Sequence, residues 1–219
     1  NLGPKINSVL PEYGSVKFKS DNIVLFTSKR DTVPSKLLGE NTDSEETHFE
    51  SIYLSVKDMN NNWLQSFKVR EPLNSDVYND AILDVAYDGK SMLLYRNGDV
   101  FESLCIDGKW MDPDVVTGDI NTSFLESSAA YSPDNVTVFF VSDRKGGFGG
   151  KDIYKCIMDE NGSCNNVVNL GDVINTSNDE DGVFMSDDGK TLYFSSKGHK
   201  TIGGYDIFYS KLVDNTAWT

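Results

Sequence analysis

Short stretches rich in β-branched and aromatic residues recur along the chain, separated by polar turns. Two of the clearest, residues 137–142 and 191–196, are each six residues long and follow an Asp-Asn or Asp-Gly turn. Stretches of this length and composition are typical of β-strands, and such turns join antiparallel neighbours. No window of about 11 residues shows the 3.6-residue period of a helix. The pattern therefore predicts an all-β chain.

The strands belong to larger repeats. Residues 132–154 and 186–208 match at identical length: a turn, an aromatic strand, a loop with a Gly-Gly pair, and a strand that starts with Asp-Ile. Each repeat also carries an Asn followed by Ser or Thr, at Asn7, Asn74, Asn121 and Asn175. The repeats are approximately 9–76, 77–123, 124–177, and 178–219 with 1–8, and residues 31–50 form a polar, acidic insertion that we predict to be a surface loop.

Repeats of about 45 to 55 residues with four strands each are typical of propeller blades. We therefore predict a β-propeller of four-stranded antiparallel blades, with a two-sheet sandwich as the structural alternative. Residues 1–8 match 169–176, which close a repeat. Either this segment completes a four-bladed ring, or the four repeats belong to a larger propeller of five or six blades. We favour the larger propeller.

Charge and composition exclude several functions. The chain has 34 acidic and 20 basic side chains, a net charge of −14, which disfavours binding to nucleic acids and anionic membranes. No apolar stretch approaches the roughly 20 residues of a spanning helix, so we expect no direct membrane insertion. With His48, His199 and three cysteines, no zinc pattern is present, and we expect neither metal nor cofactor.

Two cysteines depart from the repeat. Cys156 stands where the other repeats have Ser, and Cys164 stands where they have Trp. We predict a disulfide between them that replaces the packing of the Trp, which implies an oxidising compartment. The alternative is two inert buried thiols.

The pattern of residues 186–208, with Trp218, resembles the WD-like repeats of TolB-type propellers. It is most similar to propellers of Bacteroidota envelope proteins that also carry an OmpA-like peptidoglycan-binding domain, including components linked to type IX secretion and gliding. The motif Leu-Gly-x-x-Ile-Asn-Thr-x-x-Asp-Glu at residues 170–180 is typical of these envelope proteins. The resemblance implies a periplasmic or outer-membrane-associated scaffold with protein partners, no catalysis in the propeller, and peptidoglycan contact only through domains not present here.

Candidate partner-binding residues lie on loops that we predict to share one rim of the ring, where propellers commonly bind partners. They are Arg144, Lys145, Phe148, His199 and Tyr205. The alternative is an ordinary solvated rim.

Three aspartates, Asp99, Asp152 and Asp206, start the third strand of successive repeats. They would either bind a cation or accept backbone N–H bonds that fix a turn. Because the residue recurs, we predict the structural role.

The predicted function is a scaffold for protein–protein interaction in the cell envelope, in its most specific form an accessory of type IX secretion or gliding. A nucleophile beside a histidine and a Gly-x-Ser-x-Gly elbow are both missing, so we predict that the chain is not an enzyme. Two alternatives stay open: a propeller that binds carbohydrate or peptide, and a carboxylate-dependent glycan hydrolase or lyase.

Overall fold

A computed structural model describes residues 2–18, 20–33, 47–75, 77–213 and 217–219. Within these ranges the chain forms eighteen strands in four sheets and no helix. The sheets are arranged as the four blades of a β-propeller, which confirms the predicted fold class. That these blades belong to a larger propeller stays a prediction.

Each blade is built on a four-stranded antiparallel meander whose first strand lies innermost, and blades 2 and 3 each carry one further short strand. Blade 1 contains β1 (Glu12–Phe18), β2 (Ser20–Val33), β3 (Thr47–Val56) and β4 (Phe67–Lys68). Blade 2 contains β5 (Asp80–Val85), β6 (Ser91–Arg96), β7 (Asp99–Ile106), β8 (Lys109–Trp110) and β9 (Asp114–Val115). Of the predicted insertion at 31–50, residues 31–33 and 47–50 belong to β2 and β3, and 34–46 lie outside the described residues.

Blades 3 and 4 follow the same plan. Blade 3 contains β10 (Thr117–Gly118), β11 (Glu126–Tyr131), β12 (Thr137–Ser142), β13 (Asp152–Met158) and β14 (Ser163–Asn169). Blade 4 contains β15 (Glu180–Met185), β16 (Thr191–Ser196), β17 (Asp206–Val213) and β18 (Ala217–Trp218). The short strand β10 pairs in parallel with β14, so the end of the second predicted repeat joins blade 3.

The turns between first and second strands explain why these residues form hairpins. In blade 4 the Asp188 carboxylate accepts the N–H groups of Lys190 and Thr191, and Gly189 takes a φ of 63°. Asp88 and Asp134 accept N–H groups in the same way in blades 2 and 3. An aspartate that bonds the backbone two residues ahead is a local signal for a turn, and it needs no tertiary contact.

The core lies between the blades. Consecutive side chains of a second strand point to opposite faces of its sheet, so each strand contributes to two interfaces. The cluster between blades 1 and 2 is centred on Leu25, Ile52, Met92 and Leu94. The clusters of the next two interfaces are centred on Leu93, Val138 and Phe140, and on Phe139, Leu192 and Phe194.

Cys156 and Cys164 form a disulfide across the β13–β14 hairpin, with their Cα atoms 5.6 Å apart. Both are fully buried in the cluster between blades 2 and 3. A Cβ at Gly118 would lie 2.5 Å from the Cys164 carbonyl oxygen, so β10 approaches β14 this closely only with glycine there. The predicted pairing is thus present, and it fastens the outer edge of blade 3.

Candidate functional site

Blades 1 and 4 face each other across a cavity of about 1730 Å³ that continues into the channel between the innermost strands. All four blades line it. The inner strands contact one another in the order β1, β5, β11 and β15. The cavity brings apolar, acidic and tyrosine side chains together on one concave surface, which makes it the candidate functional site.

The side of the cavity formed by blade 4 is an apolar sheet face. Phe184 pairs with Tyr193, and Tyr193 pairs with Tyr209, so the three rings lie in one row across three strands. They are 52%, 40% and 63% exposed, and Ile207 beside them is 81% exposed. In blade 3 the corresponding face, with Phe139, is packed against the next blade. Blade 4 therefore presents a sheet face that no blade covers among the residues that the structure describes.

A tyrosine closes one end of the channel. The Tyr87 hydroxyl donates a hydrogen bond of 2.7 Å to the Met185 carbonyl oxygen, which joins the hairpin turn of blade 2 to the inner strand of blade 4. The Tyr87 N–H also donates to the side chain of Asn135 in blade 3. Burial raises the pKa of the Tyr87 hydroxyl, and nearby Asp187 raises it further. This hydroxyl consequently stays protonated and available as a donor at neutral pH.

The cavity is acidic and rich in tyrosine. Its lining includes six carboxylates, Asp21, Glu50, Asp84, Asp181, Asp187 and Asp188, and two lysines, Lys17 and Lys57. Its tyrosines are Tyr13, Tyr87, Tyr95, Tyr193 and Tyr205. Burial and a hydrogen bond with Glu50 raise the pKa of Tyr13. Such a lining attracts cations and offers ring faces on which they can rest.

Asp84 is the carboxylate that departs furthest from its repeat equivalents. It pairs with Leu93 on β6, and the residues in the same register of the other blades are Val16, Ala130 and Phe184. Its oxygens accept the N–H groups of Tyr131 and Val85 at 2.8 Å each. Asp84 is 9% exposed, and burial raises its pKa to about 7 in spite of these two bonds.

The bond from Tyr131 belongs to a series of contacts that join successive blades. Thr27 accepts the Ile82 N–H at 3.1 Å between blades 1 and 2, and Ser128 accepts the Val183 N–H at 3.2 Å between blades 3 and 4. At the interface of blades 2 and 3 the acceptor is the Asp84 carboxylate. A carboxylate also accepts a bond between blades 3 and 4, where the Ser127 hydroxyl donates to Asp181 at 3.0 Å, but the Lys151 ammonium lies 2.7 Å from that carboxylate.

Arg144, predicted at the rim, folds back into blade 3. Its guanidinium donates to the carbonyl oxygens of Asp119 and Ile120, lies 3.3 Å from the Glu126 carboxylate, and stacks 4.9 Å from the centre of the Phe140 ring. Arg30 and Arg96 pair with an inner-strand carboxylate and stack on a ring in blades 1 and 2. Arg144 is therefore held inside its blade and does not offer its charge to a partner in this structure.

His199 takes the corresponding place in blade 4. Its Nε2 lies 2.9 Å from the Ile174 carbonyl oxygen, and its ring lies 5.7 Å from Phe194 and 5.1 Å from Phe208. The carboxylate beside it, Glu180, is fully buried and accepts hydrogen bonds from hydroxyl and N–H groups. Like Arg144, His199 is packed against its own blade.

The other predicted rim residues differ in their surroundings. Lys145 is exposed, and Phe148 is 51% exposed at the tip of the glycine loop. Tyr205 is 40% exposed and lines the cavity, with the Lys197 ammonium 4.6 Å from the centre of its ring. The structure thus brings one predicted residue, Tyr205, into the cavity.

The three predicted turn aspartates lie at equivalent ends of the second hairpins. Asp152 accepts the N–H groups of Phe148 and Gly149, at 2.5 Å and 3.0 Å, and Asp206 accepts the Ile202 N–H at 2.6 Å. Asp99 pairs with Arg96 at the same position of the shorter hairpin. In the described part of the chain, no group of three or more His, Cys, Asp and Glu residues is arranged to hold a metal ion. No helix within the described ranges has the length and apolar character to span a membrane.

Comparisons with known proteins identify the fold. No protein-family model matches the chain, and no curated protein matches it. A TolB-type protein from Agrobacterium tumefaciens matches 90% of this chain and 59% of its own length, with 15% identity and a TM-score of 0.55. Puromycin hydrolase matches with 10% identity and a TM-score of 0.53, over 95% of this chain and 31% of its own. The periplasmic gluconolactonase of Pseudomonas aeruginosa matches with 12% identity and a TM-score of 0.48, over 93% of this chain and 69% of its own length.

These similarities show a TolB-like β-propeller fold, and this chain spans less than two thirds of the TolB-type structure. They also correct one prediction. The expectation that the chain is not an enzyme is wrong, because similar propellers occur in enzymes such as puromycin hydrolase. A missing serine elbow or catalytic histidine does not separate binding propellers from enzymatic ones, since function is carried by sites and not by the fold.

Proposed function

We propose that the chain is a partner-binding propeller and that its cavity receives an extended segment of a protein partner. The observation that carries this proposal is the apolar face of blade 4, with Phe184 and Tyr193 at the cavity wall and Tyr209 beside them. Exposed apolar patches with polar borders mark interaction surfaces, and aromatic side chains supply most of the binding energy at such surfaces.

A cell-envelope location is part of the proposal. The buried disulfide between Cys156 and Cys164 supports an oxidising compartment, such as the periplasm. Within the envelope, we propose the more specific role of an accessory to type IX secretion or gliding, with any peptidoglycan contact made by further domains. Co-purification from a Bacteroidota envelope, followed by loss of the complex on Tyr193→Ala, tests that role.

A random peptide library displayed on phage tests the cavity itself. Peptides selected by the purified chain are synthesised, and their affinities are measured by isothermal titration calorimetry. We expect Tyr193→Ala and Phe184→Ala to weaken binding at least tenfold, because each removes a ring from the cavity wall. Phe67→Ala is the matched control, since Phe67 is 55% exposed on the outer strand of blade 1, away from the cavity.

Peptides that bind equally to the wild type and both cavity variants would refute the proposal, as would a selection without binders. Binding of glycans in place of peptides, lost on Tyr193→Ala, would identify a carbohydrate site. Cleavage of a selected peptide would identify the cavity as an active site.

A further inference from the structure

We propose that the cavity recognises a cationic side chain of the bound segment, an ammonium or guanidinium group, and that Asp84 is the carboxylate that receives it. This inference rests on the proposed function, because it specifies the chemistry of the segment that the cavity takes. It further implies that recognition of the cation depends on pH around neutrality.

The first argument is that the charge of Asp84 is not needed for the contact between blades. Thr27 and Ser128, at other positions of their blades, accept inter-blade N–H bonds with neutral hydroxyl groups. A carboxylate in the same role carries a desolvation cost that a hydroxyl avoids. Asp84 also replaces the apolar residues that the other blades have in its register. The negative charge of Asp84 therefore destabilises the interface between blades 2 and 3. A role in binding explains why a carboxylate stands at this position.

The second argument is that the described residues place no cation against Asp84. No salt bridge in the described part of the chain includes it. Burial is the main cause of its raised pKa, and the other causes are two backbone N–H bonds. The titratable groups that interact with Asp84 are Tyr131 on β11 and Tyr87 at the β5–β6 turn. Glu102 is bonded to the Tyr131 hydroxyl, and Asp187 and Asp188 at the β15–β16 turn lie near Tyr87.

The lysines of the cavity have their own partners. The Lys17 ammonium lies 2.8 Å from the Asp21 carboxylate, and the Lys57 ammonium lies 4.9 Å from the centre of the Trp63 ring. Both belong to blade 1, next to the blade of Asp84, and neither forms a salt bridge with Asp84 in the described part of the chain. A buried carboxylate without a cationic partner is costly, and a cation supplied by a ligand offsets that cost.

The third argument is the lining around the carboxylate. Six acidic residues and two lysines give the cavity a negative potential, and five tyrosines supply ring faces. A Lys or Arg side chain carries a long apolar stem and a charged head, so it suits a cavity lined by both ring faces and carboxylates. A neutral or anionic side chain forms no ion pair with such carboxylates.

The pH dependence follows from the ionisation of Asp84. Its pKa is about 7 in the folded chain, whereas Lys and Arg side chains remain charged throughout the neutral range. The carboxylate form binds the cation and the protonated form does not. Preference for a cation should therefore increase as the pH rises from 6 to 8.

Hexapeptide libraries with a fixed central residue test this inference. The fixed residue is either Arg or citrulline, which has nearly the same shape without the charge. Fluorescence polarisation gives the affinity of each library at pH 6 and pH 8. For the wild type we expect about a tenfold preference for the Arg library at pH 8 and less than about threefold at pH 6.

Asp84→Asn should bind both libraries equally at both pH values, with the affinity for the citrulline library unchanged. Asparagine has one acceptor oxygen, which keeps the Tyr131 N–H bond between blades but not the Val85 N–H bond as well. Asp84→Ser, which supplies a neutral hydroxyl acceptor, is a second variant. Near-ultraviolet circular dichroism checks the packing of both. If binding depends on Tyr193 but both libraries bind equally well, or if Asp84→Asn keeps the preference for the Arg library, this inference is wrong and the proposed function stands. Failure of both libraries to bind overturns the proposed function as well.

Discussion

Replacing Asp84 with asparagine should make the chain more stable, by an amount that grows with pH. Burial raises the pKa of this carboxyl from 3.8 to about 7. The folded chain thus keeps the proton to higher pH than the unfolded chain, and between these two values it binds more protons. The free energy of unfolding contributed by this group is present below pH 4 and is lost as the pH rises through 7.

The size of the effect follows from the two pKa values. At 1.36 kcal/mol for each tenfold change in proton affinity, the complete loss is roughly 4 kcal/mol. Between pH 5 and pH 8, where most proteins tolerate measurement, the loss is about 2.5 kcal/mol. Asparagine resembles the protonated carboxyl and cannot ionise. The stability difference between Asp84→Asn and the wild type should therefore increase by about 2.5 kcal/mol over this range.

Urea unfolding, followed by tryptophan fluorescence at four pH values and constant ionic strength, measures this difference. Asp112→Asn is the control, because Asp112 is an exposed aspartate, and its stability difference should stay constant with pH. A difference for Asp84→Asn that is equally independent of pH would refute the reasoning. So would a variant that is less stable than the wild type at pH 8, since that result would show the ionised carboxylate to be favourable at the blade interface.

Three further changes have expected outcomes in the same urea assay. Arg144→Ala should cost about 3 to 5 kcal/mol, because it leaves the buried Glu126 carboxylate without its cation, whereas Lys145→Ala at the exposed neighbour should change stability by less than about 0.5 kcal/mol. Gly198→Ala should destabilise blade 4 strongly, because its Cβ would overlap the side chain of Thr176, while Gly203→Ala, with open space around it, should be nearly neutral. Reducing the disulfide, whose cysteines are eight residues apart, should lower the free energy of unfolding by about 2.5 kcal/mol relative to the oxidised chain. Equal effects of Arg144→Ala and Lys145→Ala would contradict the buried ion pair, and equal effects of Gly198→Ala and Gly203→Ala would contradict the close packing at Gly198. No effect of reduction would contradict the disulfide.

The blade pattern is readable in the sequence because its signals are local. The Asp-Gly turn at Asp188 and the strand that follows it recur with the same spacing in the other repeats, and the structure forms the hairpin with bonds inside that segment. The cavity is harder to predict. The inner strands contain bulges, between Ile82 and Asp84 in blade 2 and between Asp181 and Phe184 in blade 4. A bulge interrupts the two-residue alternation of a strand, so that alternation does not tell which side chains of the inner strands face the channel.

The ion pair of Arg144 has a signal in the sequence. Its position after the second strand predicts an exposed rim, yet Arg30 occupies the same position in the first repeat, and Arg96 stands two residues earlier in the second. Recurrence of an arginine beside a recurring buried carboxylate, here Glu126, indicates an ion pair that belongs to the blade. The packing of Tyr87 against blade 4 had no comparable signal, because it depends on the path of the whole ring.

The uncovered rings of blade 4 have a consequence for handling the purified domain. An apolar sheet face favours self-association, and the net charge of −14 on every molecule opposes it by mutual repulsion. Salt shortens the range of that repulsion to about 10 Å at 0.1 M, close to molecular contact. Dilute buffer should therefore keep solutions of the domain monodisperse, and concentrated salt should promote clustering through the tyrosine row.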